Sequence, residues 1–254
     1  GLTTGTDNVA IGEAAGDALT TGSDNTLVGD NAGGATTTAS NNVAIGSGAL
    51  LVNSTGGENT AVGMTALTAN TTASNNTAVG TAALATNTTG TDNTGLGRAA
   101  LEANSTGSNN TAVGSRTLDS NTTGAAVTAV GKSALAANTT GDSNTAVGKG
   151  SLEANTTGTR NVALGASSAE TLTTGNDNTA IGFNALGDES TTSNNTAIGS
   201  YAMYDGAGAD GSVAVGTSAL ANVTGDYNTA VGYLALTANT TGDTNVAVGA
   251  NALD

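Results

Sequence analysis

The chain has no cysteine, histidine, proline or tryptophan, and only one Phe and four Tyr among 254 residues. Without Cys there is no disulfide framework and no thiolate metal site. Without His the commonest general base, metal ligand and neutral-pH switch are missing. Cations are scarce too: five Lys and Arg stand against 20 acids, a formal charge of -15, which repels a phosphate backbone and excludes nucleic acid as a partner. No run of about 18 apolar residues exists, so this segment inserts no helix into a membrane. No Ser/His/Asp arrangement, phosphate-cradling loop or zinc spacing is present. We therefore expect no enzyme, no cofactor and no metal.

What the chain has in excess is Gly, at 38 residues, and a period. The motif Asn-Thr/Val-Ala-Val/Ile-Gly ends at Gly12, Gly29, Gly46, Gly63, Gly80, Gly97, Gly114, Gly131, Gly148, Gly165, Gly182, Gly199, Gly216, Gly232 and Gly249. Every interval is 17 residues except the 16 between Gly216 and Gly232. Disorder holds no such register, and an internal repeat of this length signals a stacked array. The consensus N-T-A-V-G-x-x-A-L-x-x-N-T-T-G-x-x is too short for two packed helices. Its β-branched residues and Gly disfavour helix and suit short strands joined by turns. The expected fold is all-β: a parallel β-solenoid of about 15 coils, one 17-residue repeat per coil, running through residues 1–254 as a single array.

Numbering the motif Asn as position 1, position 2 is Thr or Val and position 4 is always aliphatic. Thr and Val share a shape, so both positions are expected inside the coil, together with the Leu at position 9 (Leu50, Leu67, Leu84 and others). Position 3 then points outward by strand alternation. It is nonetheless Ala in 13 of 15 coils, with Leu27 and Gly95 as the exceptions. A row held at Ala, including Ala112 and Ala146, is expected to face a closely approaching second chain. Two or three large aliphatic side chains per coil, at about 1.5–3 kcal/mol each, are set against backbone ordering of about 1–2 kcal/mol per residue. A lone thin coil stack is marginal on those terms, and oligomerisation is the usual remedy without Cys. Three chains sharing one axis are expected. The Asn of position 1 and the Asn-Thr-Thr-Gly turn at position 12 read either as amide ladders or as corner turns, with corners preferred. The same turn chemistry accounts for the many N-x-Ser/Thr sequons.

The segments Asn-Val-Ala-Ile-Gly at 8–12 and 42–46 and Gly-Ser-Val-Ala-Val-Gly at 211–216 resemble the head repeats of trimeric autotransporter adhesins of the YadA-like type. The longer consensus is similar to repeats of some phage tail-fibre proteins. The resemblance runs the length of the chain, although this repeat is longer than the usual head repeat. It implies a left-handed trimeric β-roll exposed on a cell surface or a virion. On this reading the chain is an excerpt of a longer extracellular fibre, structural and adhesive, that attaches to a host-surface glycan or protein. An ice-binding β-solenoid is the alternative, because Thr recurs at solenoid spacing. It is disfavoured because adjacent Thr-Thr side chains point to opposite faces.

Three side-chain clusters remain. All five aromatics lie in one quarter, and Phe183, Tyr201 and Tyr233 are expected to point outward as a stacking platform for sugar rings. The competing reading is local packing around the 16-residue coil. Arg98, Lys132 and Lys149 share one register near Glu102, Asp119 and Glu153, which reads as a solvated mixed-charge face. Asp210, Asp226 and Asp243 stack at one turn position, as Asp7 and Asp24 do at another. Shared calcium through carboxylate oxygens is the lesser reading there, and solvated acidic turns are preferred.

Overall fold

The computed structural model describes residues 3–188, 190–205, 209–237 and 240–253. It divides into two units, Gly1–Ala126 and Val127–Asp254. The first carries strands β1 (Val9–Ile11), β2 (Thr26–Val28), β3 (Val43–Ile45), β4 (Thr60–Val62), β5 (Thr77–Val79), β6 (Thr94–Leu96) and β7 (Thr111–Val113). The second carries β8 (Thr128–Val130), β9 (Thr145–Val147), β10 (Val162–Leu164), β11 (Thr179–Ile181), β12 (Thr196–Ile198), β13 (Val213–Val215), β14 (Thr229–Val231) and β15 (Val246–Val248). Within each unit successive strands pair in parallel with identical motif positions opposed, as in Thr60↔Thr77 and Ala61↔Ala78 or Thr179↔Thr196 and Ala180↔Ala197. Each unit is thus a parallel β-solenoid with one strand per coil, and the described residues contain no helix.

The faces of the strand are the reverse of the sequence expectation. Position 3 is interior: Ala44, Ala61, Ala78, Ala112, Ala146 and Ala180 are all fully buried. Positions 2 and 4 point outward, half-buried to exposed in every coil. Ala112 and Ala146 therefore offer no surface to a second chain; they form the inner wall of their own coil. The reason is width. A 17-residue turn closes on so narrow a lumen that the strand can present only a methyl group to the Leu of position 9. A Cβ built on Gly95, the position-3 exception, would lie 3.5 Å from Leu84 Cδ1 of the preceding coil. Leu50, Leu67, Leu84, Leu101, Leu118, Leu135 and Leu152 are buried as expected, but they meet the Ala column rather than positions 2 and 4.

Departures from the consensus confirm the volume constraint. Leu27, the other exception at position 3, is fully buried. It sits where two coils have Gly at position 9: a Cβ on Gly16 would come within 2.7 Å of Leu27 Cδ1, and one on Gly33 within 2.7 Å of Leu27 Cδ2. Where position 9 shrinks to Ala169, position 12 grows to the buried Leu172. In these coils a large side chain missing from position 9 is supplied from another interior position, as close packing requires.

The rest of the lumen is polar and hydrogen-bonded. Asn at position 1 spans the coil. Its Oδ1 accepts the next coil's backbone N–H, as Asn59 Oδ1 does from Asn76 N–H at 3.0 Å. Its Nδ2 reaches the carbonyl of position 15, as Asn76 Nδ2 does to Gly90 O at 2.9 Å. Asn at position 12 makes a second column: Asn87 Nδ2 donates to Asn70 Oδ1 at 3.1 Å and to the same Gly90 O at 2.9 Å. Both Asn columns are buried, and their amides occupy both lone pairs of the carbonyl between them. The ladder is observed, and it is also what turns the corner. Asn155 Oδ1 has no partner because the next residue in its column is Leu172.

Each coil before the last also carries four positive-φ residues, seen at Gly80 (135°), Ala82 (58°), Leu84 (52°) and Asp92 (59°). At the first, Gly is obligatory, since a Cβ on Gly80 would lie 2.5 Å from Gly97 O. Position 17 is met mostly by Asp or Asn, which tolerate the left-handed region. Leu at position 9 adopts it without such help, at about 1–2 kcal/mol, because that conformation aims the side chain into the lumen.

The exchange of volume between positions 3 and 9 is testable by a double-mutant cycle. Leu27→Ala should cost about 2–5 kcal/mol by opening a cavity. Gly33→Leu alone should destabilise by overpacking against Leu27. The double variant Leu27→Ala/Gly33→Leu rebuilds the consensus and should recover most of the loss in urea unfolding; additive penalties would disprove the compensation.

Candidate functional site

Turning the strand face around exposes what was expected to be core. Position 4 forms a column of Ile, Val and Leu along the outward face, with Leu96 46% and Ile45 40% exposed. Position 2 forms a parallel column of Thr and Val, half-buried in most coils. Strands repeat at about 4.8 Å, and residues two apart lie about 7 Å apart along a strand. Over seven strands in the first unit and eight in the second, this makes a regular stripe of roughly 240–270 Å² on each, aliphatic along one column and largely Thr along the other. Sequence reasoning missed this face. Strand alternation gives two opposite assignments, and the preference for large residues inside selected the wrong one.

The two adjacent Thr columns are chemically unlike. At position 13 the hydroxyl donates to the next coil's position-13 carbonyl, as Thr71 Oγ1 does to Thr88 O at 3.1 Å and Thr156 Oγ1 to Thr173 O at 3.1 Å. Position 14, including Thr55, Thr72, Thr89 and Thr157, is exposed. The two Thr of the pair thus differ in exposure and in bonding. Among the sequons, Asn53, Asn70, Asn87, Asn104, Asn121, Asn138 and Asn155 are fully buried, so in the folded chain these amides serve the ladder.

The aromatic quarter is partly assembled. Phe183 and Tyr201 are 48% and 38% exposed and meet edge-to-face at 5.4 Å between ring centroids. Tyr204, which the sequence did not single out, continues the chain edge-to-face from Tyr201 at 5.1 Å. Its ring lies against Gly187, where a Cβ would come within 2.4 Å of Tyr204 Cδ2. Tyr233 is exposed but lies two coils beyond Tyr201 in the repeat and joins neither ring contact. A Gly directly opposite a Tyr in the next repeat was the readable signal for Tyr204.

The charged clusters are structural. Each Asp of the stacked set staples two coils: Ser193 N–H donates to Asp210 Oδ1 at 2.7 Å, Asp210 N–H to Asp226 Oδ1 at 2.9 Å and Asp226 N–H to Asp243 Oδ1 at 2.9 Å. Ser40 Oγ does the same for Ser23 N–H at 3.0 Å. No group of three or more acids that could hold a metal occurs among the described residues, and no helix there is long and apolar enough to cross a membrane. Arg98, Lys132 and Lys149 are exposed. Burial raises the Asp119 pKa, opposed by the nearby Arg116. Arg160 forms an ion pair with Asp177, a two-pronged contact with Nε–Oδ1 at 2.6 Å and Nη2–Oδ2 at 2.7 Å.

The Arg160 hydrogen bonds hold the Asp177 carboxyl below its ordinary value of 3.8. A depressed carboxylate contributes stability above its unfolded pKa and loses it as pH falls through the folded one. Asp177→Asn should therefore melt slightly below the parent at neutral pH, and the two melting curves should merge well below pH 4. Both residues are solvent-exposed, so high salt should also shrink the difference. A gap that persists at low pH would assign the effect to packing. Neither a family model nor a curated protein matches the chain, which leaves the chemistry of its outward columns to carry the functional reading.

Proposed function

We propose that this chain is a shaft segment of an extracellular fibre, on a cell surface or a virion, in which three copies pack through their outward strand faces and whose role is attachment. The observation that supports it is the unbroken aliphatic column of position 4, flanked by the Thr/Val column of position 2 and repeated in register along each unit. Three copies, rather than two, follow the resemblance to trimeric adhesin heads. The interface proposed is the Thr/Val and aliphatic columns, in place of the Ala row now seen to be interior.

Light scattering should give three times the chain mass of 23.9 kDa. Ile45→Lys/Leu96→Lys should dissociate the assembly to single chains while keeping its β circular dichroism, because both side chains point away from the lumen. A parent of single-chain mass, or a variant that remains trimeric, would overturn the interface.

The same face supports a second reading. Consecutive Thr residues at β4 to β7 (Thr60, Thr77, Thr94, Thr111) stand beside a column of Val and Leu, in a two-dimensional repeat of about 4.8 by 7 Å. Ordered hydroxyls and methyl groups at such spacing suit an ice surface. The two readings compete for one face, so they separate cleanly: a monomer with thermal hysteresis supports ice binding, and a trimer without it supports the fibre.

A further inference from the structure

We infer that the coils around Phe183, Tyr201 and Tyr204 form a binding site for a neutral pyranose oligosaccharide, a specificity that rests on the attachment role proposed above. The chain's aromatic side chains occur only between Phe183 and Tyr233. Three of them join into one ring chain, Phe183–Tyr201–Tyr204, with edge-to-face contacts at 5.4 and 5.1 Å. Such contacts fix ring orientation, and the Tyr204 ring is further backed by Gly187, which has no Cβ to displace it. The backbone beneath is tied coil to coil: Tyr201 N–H donates to Phe183 O at 3.0 Å and Asp188 N–H to Tyr204 O at 2.8 Å. The platform is rigid before any ligand arrives, which lowers the ordering cost of binding.

The cluster is not buried as a packing cluster would be. Phe183 and Tyr201 keep 48% and 38% of their surface in solvent, on a coil whose lumen is already filled by Leu186 and Met203. Exposed aromatic faces accept the apolar C–H face of a pyranose ring. Polar residues neighbour the rings in the coil register. Asn184 precedes Tyr201 at the same coil position, and the exposed Asp188 and Asp205 stack beside Tyr204. Carboxylates accept hydrogen bonds from sugar hydroxyls, and the amide both donates and accepts. The pair of acids on a chain of net charge -15 also sets the selectivity: a sialylated or uronic acid glycan is repelled, a neutral one is not. Phe183 to Tyr204 spans two coils, about 5 Å across the strands, so the platform covers one to two sugar units. Affinity per chain is weak, and a multimeric fibre strengthens it by avidity.

The test is saturation-transfer NMR and titration of the full chain with two probes that share the β-1,4 diequatorial backbone, cellohexaose and a hexameric β-1,4-oligoglucuronate. Cellohexaose should bind with a Kd in the range of about 1–10 mM, with saturation transfer to the sugar C–H protons, and the glucuronate at least about tenfold more weakly. Phe183→Ala/Tyr201→Ala/Tyr204→Ala should weaken cellohexaose binding at least about tenfold. Should that variant unfold, Tyr201→Lys with Asp188→Lys keeps the coil interior untouched and should lose cellohexaose equally. Binding that survives either folded variant, equal binding of the anionic probe, or no cellohexaose binding at about 20 mM would overturn the site. Those failures leave the mass and interface measurements for the fibre unaffected, and a monomeric chain that still binds cellohexaose through these rings would sink the fibre alone.

Discussion

The width of the lumen governs everything else in this chain. Seventeen residues per coil leave room for one branched side chain, a row of methyl groups and two amides. The branched side chain is Leu at position 9, the methyl row is Ala at position 3, and the amides are Asn at positions 1 and 12. A core that thin gains little from apolar burial per residue. Hydrogen bonding takes up much of the specification: backbone bonds between coils and two amide columns that leave few buried polar atoms without a partner. The interior thus resembles a stack of amide rungs flanked by Leu more than a conventional hydrophobic core.

Much of this was legible in the sequence. The period fixed one coil per repeat, and the strands fall where the Asn-Thr-Ala-Val-Gly motif lies. The Asp and Asn that recur at position 17 fit the left-handed backbone found there, although the sequence reading drew nothing from them. The face of the strand was misread because alternation leaves parity free, and size was used to break the tie. Thr and Val interchange at position 2 because both are comfortable on an open sheet, not because they fill a fixed volume. The exceptions held the answer: Leu27 at position 3 appears in a coil with Gly33 at position 9 and follows one with Gly16. Such an exchange makes sense only if positions 3 and 9 share an interior. Leu in a positive-φ conformation carries no sequence signature and could not have been read at all.

The candidate site was legible in part. The crowding of aromatics into one quarter was visible, and Phe183 and Tyr201 do meet. Tyr204 emerged only once coil register placed its ring over Gly187, while Tyr233 lies too far along the stack to join them. The outward apolar stripe was hidden by the same parity error that placed Ala112 and Ala146 on the surface. Correcting one binary assignment moved the expected interface from one side of the strand to the other and kept the physical reason for wanting an interface at all.

The 16-residue coil shows how the array tolerates change. Between Gly216 and Gly232 the single Thr224 stands where most other coils have a Thr-Thr or Ser-Thr pair, yet Val213 still pairs with Thr229 and Asn228 N–H still finds Ser212 Oγ at 3.0 Å. The deletion is absorbed in the Thr-Thr corner, and the strand and the inner rungs stay in phase. Whole coils are more interchangeable still, since each offers its neighbours the same rungs above and below. Unequal recombination among near-identical repeats would therefore lengthen or shorten such an array in steps of one coil, about 4.8 Å, leaving its cross-section unaltered. Reach becomes a quantity that selection can tune by counting.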